Sequence, residues 1–179
     1  MIITVSGLPG SGTTTAARLL AQKTGMDMIS SGEVFRKMAE ERKMSLEDFG
    51  DLAEKNEEID KKLDRSMIER AKKGTILEGR LTGHLLNNSE KEAYKIWLRA
   101  PLDVRINRIA DREEIKDKDA LKKRVVKREK SERKRYQQYY DIDLTDISIY
   151  DNIIDSEKNS PEEIVEMIIE GVRDETCQE

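Results

Sequence analysis

Gly7, Gly10 and Gly12, followed by Thr13 and Thr14, are the residues whose types and spacing point most directly to chemistry. The run Met1-Ile2-Ile3-Thr4-Val5-Ser6-Gly7-Leu8-Pro9-Gly10-Ser11-Gly12-Thr13-Thr14 reads as a buried strand, a glycine-rich turn and the start of a helix. It matches the phosphate-loop pattern G-x-x-x-x-G-K-[ST] at Gly7, Gly12 and Thr14, and departs where Thr13 replaces the lysine. Glycines let the backbone turn tightly and aim N–H groups at an anion. The helix opening at Thr13 adds free N–H groups and the positive end of its dipole. Gly7, Leu8, Pro9, Gly10, Ser11, Gly12, Thr13, Thr14 and Thr15 are the candidate phosphate-binding set, with Thr14 a candidate Mg²⁺ ligand. Without the ammonium, either other cations reach the terminal phosphate or the loop binds nucleotide without transferring it.

Three further clusters carry charge in patterned positions. After the second apolar run comes Ser30-Ser31-Gly32-Glu33-Val34-Phe35-Arg36, where Ser31 can cap a helix that carries Arg36. The third run ends Leu77-Glu78-Gly79-Arg80, an acid and an arginine at the edge of a sheet where open α/β folds bind ligands. Arg108 and Arg112 are four apart and share a helix face. Arg128, Glu132 and Arg135 repeat at spacings of four and three, so one helical face projects all three.

Taken together, G-x-x-G-x-G-x-[ST], S-G-x-x-F-R, [DE]-G-R and R-[DE]-x-x-[DE]-R-x-R resemble the nucleoside monophosphate kinases, and cytidylate kinases of the short archaeal type in particular. That type also carries Gly-Thr-Thr-Thr where the lysine would be. The resemblance implies a P-loop nucleoside triphosphate hydrolase fold and ATP- and Mg²⁺-dependent phosphorylation of CMP, or dCMP, to CDP. It implies that Ser31, Arg36, Arg80, Arg128, Glu132 and Arg135 bind the acceptor, and that Glu78 helps organise Mg²⁺ through water. Arg108 would lie against the ATP adenine and Arg112 on its phosphates. Arg36, Arg80, Arg112 and Arg135 are the catalytic candidates. One position departs from the bacterial members: Leu81 stands where they carry an aspartate directly after G-R. Adenylate or uridylate kinase, or a non-catalytic nucleotide-binding module, are the alternatives.

The elements that must position these groups are legible as apolar runs. Ile2 to Val5, Met26 to Ile29, Thr75 to Leu77, Lys95 to Leu98 and Asn152 to Ile154 read as buried strands with helix-period segments between them, which predicts an α/β domain with a five-stranded parallel sheet. Gly25 fits the residue after the first helix. Ser160-Pro161-Glu162-Glu163 predicts a capping box opening the last one. A single domain follows, with core segments 1–35, 73–112 and 136–179. The monophosphate-binding stretch of about 36–72 and the lid with its arginine-rich helix, about 113–135, both read as too polar for the core.

Composition narrows the partners. At 179 residues the chain builds one good core. Aromatics are only 4%, so that core must come from Ile, Leu, Val, Met and Ala. A net charge of −4 argues against bulk nucleic-acid binding. The only cysteine, Cys177, excludes an intrachain disulfide, and one Cys with one His makes a zinc site implausible. With no bilayer-length apolar run and no leader, the expectation is a cytoplasmic monomer without membrane contact. His84 is not needed as a general base, because an acceptor phosphate oxygen is already ionised.

Overall fold

The five apolar runs form β1 (Ile2–Gly7), β2 (Asp27–Ser30), β3 (Thr75–Glu78), β4 (Ala93–Arg99) and β5 (Asn152–Asp155). The computed structural model describes residues 1–177, the side chains of Glu47 and Thr176 excepted, so the end of the 136–179 segment lies outside it. All strands pair in parallel, in the order β2-β3-β1-β4-β5. Parallel neighbours need crossovers. These are supplied by α1 (Thr13–Thr24), α2 (Ser31–Glu41), α3 (Leu46–Lys55), α4 (Glu57–Arg70), α5 (Thr82–Asn87), α6 (Leu102–Glu113) and α7 (Lys118–Tyr140), with α8 (Pro161–Thr176) following β5. Strand order reverses at β1, whose neighbours are β3 and β4, and the glycine loop leaves its carboxyl end at that switch point.

Strand β1 is buried along its whole length, which is why it reads as a continuous apolar run. Its side chains alternate between two layers. Ile3 and Val5 meet Ala16, Ala17 and Leu20 of α1 and Ile164, Val165 and Ile168 of α8. Both expected helix limits are present. Gly25 closes α1 at φ 71°. Ser160 Oγ accepts from the Glu163 N–H at 3.2 Å, while Glu163 Oε2 accepts from the Ser160 N–H at 2.7 Å.

The opposite layer corrects the expectation of a polar periphery. Helices α2 to α4 bury Met38, Ala39, Phe49, Ala53, Ile59, Leu63 and Met67 against Ile2, Ile29 and Leu77. Each large apolar side chain buried in this way contributes about 1.5–3 kcal/mol, so the segment is a working half of the core. Its average polarity conceals narrow stripes on three helices that face one another. Helix α7 runs unbroken across the expected boundary at 135. One end packs Leu121 and Val125 on Ile106, Ile109 and Ala110 of α6, and the other packs Tyr136 and Tyr140 on the main core.

Candidate active site

Backbone conformation shapes the loop first. Gly10 has φ 82°, and a Cβ there would lie 2.6 Å from the Arg105 carbonyl oxygen, so glycine alone fits. The Leu8 carbonyl accepts from the Ser11 N–H at 3.1 Å, and the first intrahelical bond of α1 runs from the Ala16 N–H to the Gly12 carbonyl. The N–H groups of Thr13, Thr14 and Thr15 thus have no partner within the helix and line its open end.

At the position of the missing lysine lies an acid. Thr13 Oγ1 donates to Glu78 Oε1 at 2.7 Å, Thr14 Oγ1 donates to the same oxygen at 3.2 Å, and Ser30 Oγ donates to Oε2 at 2.6 Å. Glu78 is buried at the end of β3. Burying a carboxylate without partners is expensive, and three hydroxyls, one of them also the N-cap of α2, offset that here. The Thr14 hydroxyl and the Glu78 carboxylate are hard oxygen donors beside the free N–H groups. This donor set fits Mg²⁺, which takes few protein ligands and keeps water and phosphate oxygens. Among the described residues no group of three or more His, Cys, Asp or Glu is arranged to hold a metal alone.

Helix α6 grips the loop from outside through two arginines. Arg105, 5% exposed, donates to the Pro9 carbonyl at 3.1 Å and the Ala100 carbonyl at 3.2 Å, and pairs with Glu129 of α7 at 2.5 Å. Arg108 donates to the Gly10 carbonyl at 3.4 Å and to both Oγ and the carbonyl of Ser156, joining the loop to the segment after β5. Arg112, one turn further, is exposed and pairs with its neighbour Glu113 at 2.7 Å. Thr15 is exposed as well.

The remaining arginines gather around acids on the other side of β3. Arg80 meets Glu132 Oε2 at 3.0 Å, and Arg128 donates to Glu132 Oε1 at 2.9 Å. Arg135 donates to Asp60 at 2.9 Å and to Ser131 at 3.3 Å. Glu132 and Asp60 are both nearly inaccessible. Arg80 also lines a pocket with Ser31, Leu63, Asp64, Leu85 and Tyr136. Ser31 approaches Gly79 so closely that a Cβ at 79 would collide with its hydroxyl. Arg36 stands apart: exposed on α2, it folds back over Gly32 and has no ion pair among the described residues.

Several participants are absent from the sequence reading. Arg105 is one. Asp60 and Asp64 are two more, buried on α4 one turn apart; Tyr140 donates to Asp64 Oδ2 at 2.5 Å. Burial pushes the Asp64 carboxyl up to about 7, and the Tyr140 hydroxyl and Arg135 recover only part of that. Burial also raises Asp60, and it raises the Tyr136 phenol. The available signal was periodicity: Asp60 and Asp64 share a face with Leu63 and Met67, where acids are out of place. His84 is buried edge-on to Tyr150, and burial lowers its pKa, in keeping with a packing role.

Comparison with known proteins identifies the family and the fold. Residues 2–158 match the model of the cytidylate kinase-like family. The cytidylate kinase of Methanocaldococcus jannaschii is 46% identical over 174 residues, covering 96% of this chain and 97% of that one. The cytidylate kinase of Methanosarcina mazei is 51% identical over 160 residues, 88% of each chain. Among solved structures, a shikimate kinase from Bacteroides thetaiotaomicron superposes with a TM-score of 0.62 at 15% identity, over 97% of this chain and 98% of its own, which shows a shared fold. A phosphate loop at the switch point of a five-stranded parallel sheet, matched in sequence over nearly its full length, places the chain in the cytidylate kinase-like family.

Proposed function

We propose that the protein transfers the γ-phosphoryl group of ATP to CMP, giving CDP and ADP. One observation carries this: the three residues Glu78-Gly79-Arg80 span two sites. Glu78 accepts from Thr13 and Thr14 of the phosphate loop, and Arg80, two residues on, lines the pocket beside Glu132. A donor and an acceptor seated there would be neighbours across one strand end.

The chemistry asks for alignment and charge neutralisation more than for covalent help. Loop N–H groups hold the donor phosphates, and Arg108 holds the loop against Ser156. Mg²⁺ would supply neutralisation of the donor phosphate charge when bound. Thr14 and Glu78 are the residues that would hold it, Glu78 through water. Ser31, Arg36, Arg80, Arg128 and Arg135 are assigned to the acceptor, with Glu132 orienting Arg80 and Arg128. An ionised acceptor oxygen forms the new P–O bond as the bond to the β-phosphate oxygen breaks, so no base is required. Arg112 and Arg135 are assigned to the transferring group, which requires each to exchange its present acid for phosphate. Thr13 supplies no charge, and the arginines carry that task instead.

We assign dCMP as a second acceptor, and a cytoplasmic, monomeric life without nucleic-acid or membrane partners. Both sheet faces are covered by the chain's own helices, and no helix among the described residues is long and apolar enough to cross a membrane. An ADP-release assay with ATP and CMP, dCMP, UMP or AMP tests the reading. CMP-dependent turnover is expected. A clear preference for AMP, or tight nucleotide binding with no turnover, refutes it.

A further inference from the structure

Asp64 lines the acceptor pocket with no ion-pair partner among the described residues, which sets it apart from every other acid of the cluster. Glu132 is met by Arg80 and Arg128, and Asp60 by Arg135. Asp64 has only the Tyr140 hydroxyl, which engages Oδ2 and fixes the carboxyl plane. Its second oxygen, Oδ1, accepts no hydrogen bond from a described residue and is not sealed from solvent. The walls beside it are Leu63, Leu81, Leu85 and the Tyr136 ring. A carboxyl oxygen that faces a pocket without a protein donor is free to accept from a ligand there. At about 30 Å³ the pocket must widen to take more than a water, and its mixed lining then suits a flat body carrying a neutral N–H donor, tethered to an anion that Arg80 can meet. A pyrimidine nucleotide with an amino group has that pattern.

Building on the acceptor-site reading above, we propose that Asp64 reads the base, its Oδ1 accepting a hydrogen bond from the exocyclic amino group of cytosine. Uracil would turn a carbonyl oxygen toward the same lone pairs and be repelled. Leu81 places no polar side chain at the pocket wall, and among the lining residues Asp64 is the carboxylate.

The test compares CMP, UMP and the 4-deamino analogue of CMP, whose pyrimidin-2-one ring lacks only the amino group. In the wild-type protein kcat/KM for the analogue is expected to fall at least about tenfold below that for CMP, the scale of one lost hydrogen bond in a closed site. In Asp64→Asn, Tyr140 donates to the amide oxygen and an NH₂ replaces Oδ1. The CMP-to-analogue ratio should then collapse toward one and UMP should gain on CMP, with KM for ATP unchanged. A wild-type ratio near one overturns the proposal, and needs no variant to fold. So does a ratio that survives in Asp64→Asn. Wild-type protein that turns over no CMP at all defeats the kinase reading itself and this inference with it, whereas turnover with equal ratios defeats only the latter.

Discussion

Arg105 and Glu129 form a buried ion pair, 2.5 Å between Nη1 and Oε1, and through it α7 is tied to the phosphate loop. The same Nη1 donates to the Pro9 carbonyl, so the acid, the guanidinium and the loop are joined at one nitrogen. The helix carrying Arg128, Glu132 and Arg135 is therefore indexed to the glycine loop.

Removing one partner exposes the value of that link. Glu129→Ala leaves a guanidinium buried among carbonyls alone, and such an uncompensated charge typically costs about 3–5 kcal/mol. Urea unfolding should show that loss. A change below about 1 kcal/mol would mean the pair is replaceable by water.

On the proposed assignment, Glu78 helps set the metal dependence. Glu78→Gln keeps the shape of the side chain but removes the charge that three hydroxyls now satisfy. Apparent Mg²⁺ affinity, read from the rate at varied metal and fixed ATP, should weaken roughly 10–100-fold. An unaltered Mg²⁺ curve would remove Glu78 from the metal site.

Arg80 should act on one substrate only. Arg80→Met lowers kcat/KM for CMP by roughly 10–100-fold, the scale of a lost charge-assisted contact. ATP affinity, measured by calorimetry on the same variant, should stay within about twofold of wild type. An equal loss on the ATP side would show that Arg80 belongs to the donor site.

Asp64 sets a pH signature in the free protein. Its carboxyl titrates near 7 when folded because burial disfavours the charge, but near its ordinary value when unfolded. Between about pH 4 and pH 7 the native state thus holds the extra proton, so this group makes stability fall as pH rises through that window, by on the order of 2–4 kcal/mol. Asp64→Asn should flatten that part of the stability curve in chemical denaturation from pH 4 to 8. Parallel curves for the two proteins would rule it out.

Strands and loop were readable because each is a local pattern. Ile2 to Val5 is apolar on both faces, and Gly7, Gly10 and Gly12 announce a turn that no other residue type makes easily. The partners of the arginines were not readable. Arg105 and Glu129 are 24 positions apart, and Arg135 and Asp60 are 75 apart, so nothing in the spacing pairs them. Thr13 was legible only as a lost cation; the acid it contacts sits 65 residues away on another strand. The core contribution of α2 to α4 was hidden because Phe49, Ile59 and Met67 are scattered among charges and meet only once three helices cross-pack.

The small apolar knot between α6 and the start of α7 is separate from the two layers on the sheet, yet the far end of α7 is rooted in one of them. At 23 residues, that helix is a rod of about 34 Å. A rod anchored in two places holds its span in fixed register, and Arg128, Glu132 and Arg135 all lie on or beside that span, so their positions are set by two separate cores at once.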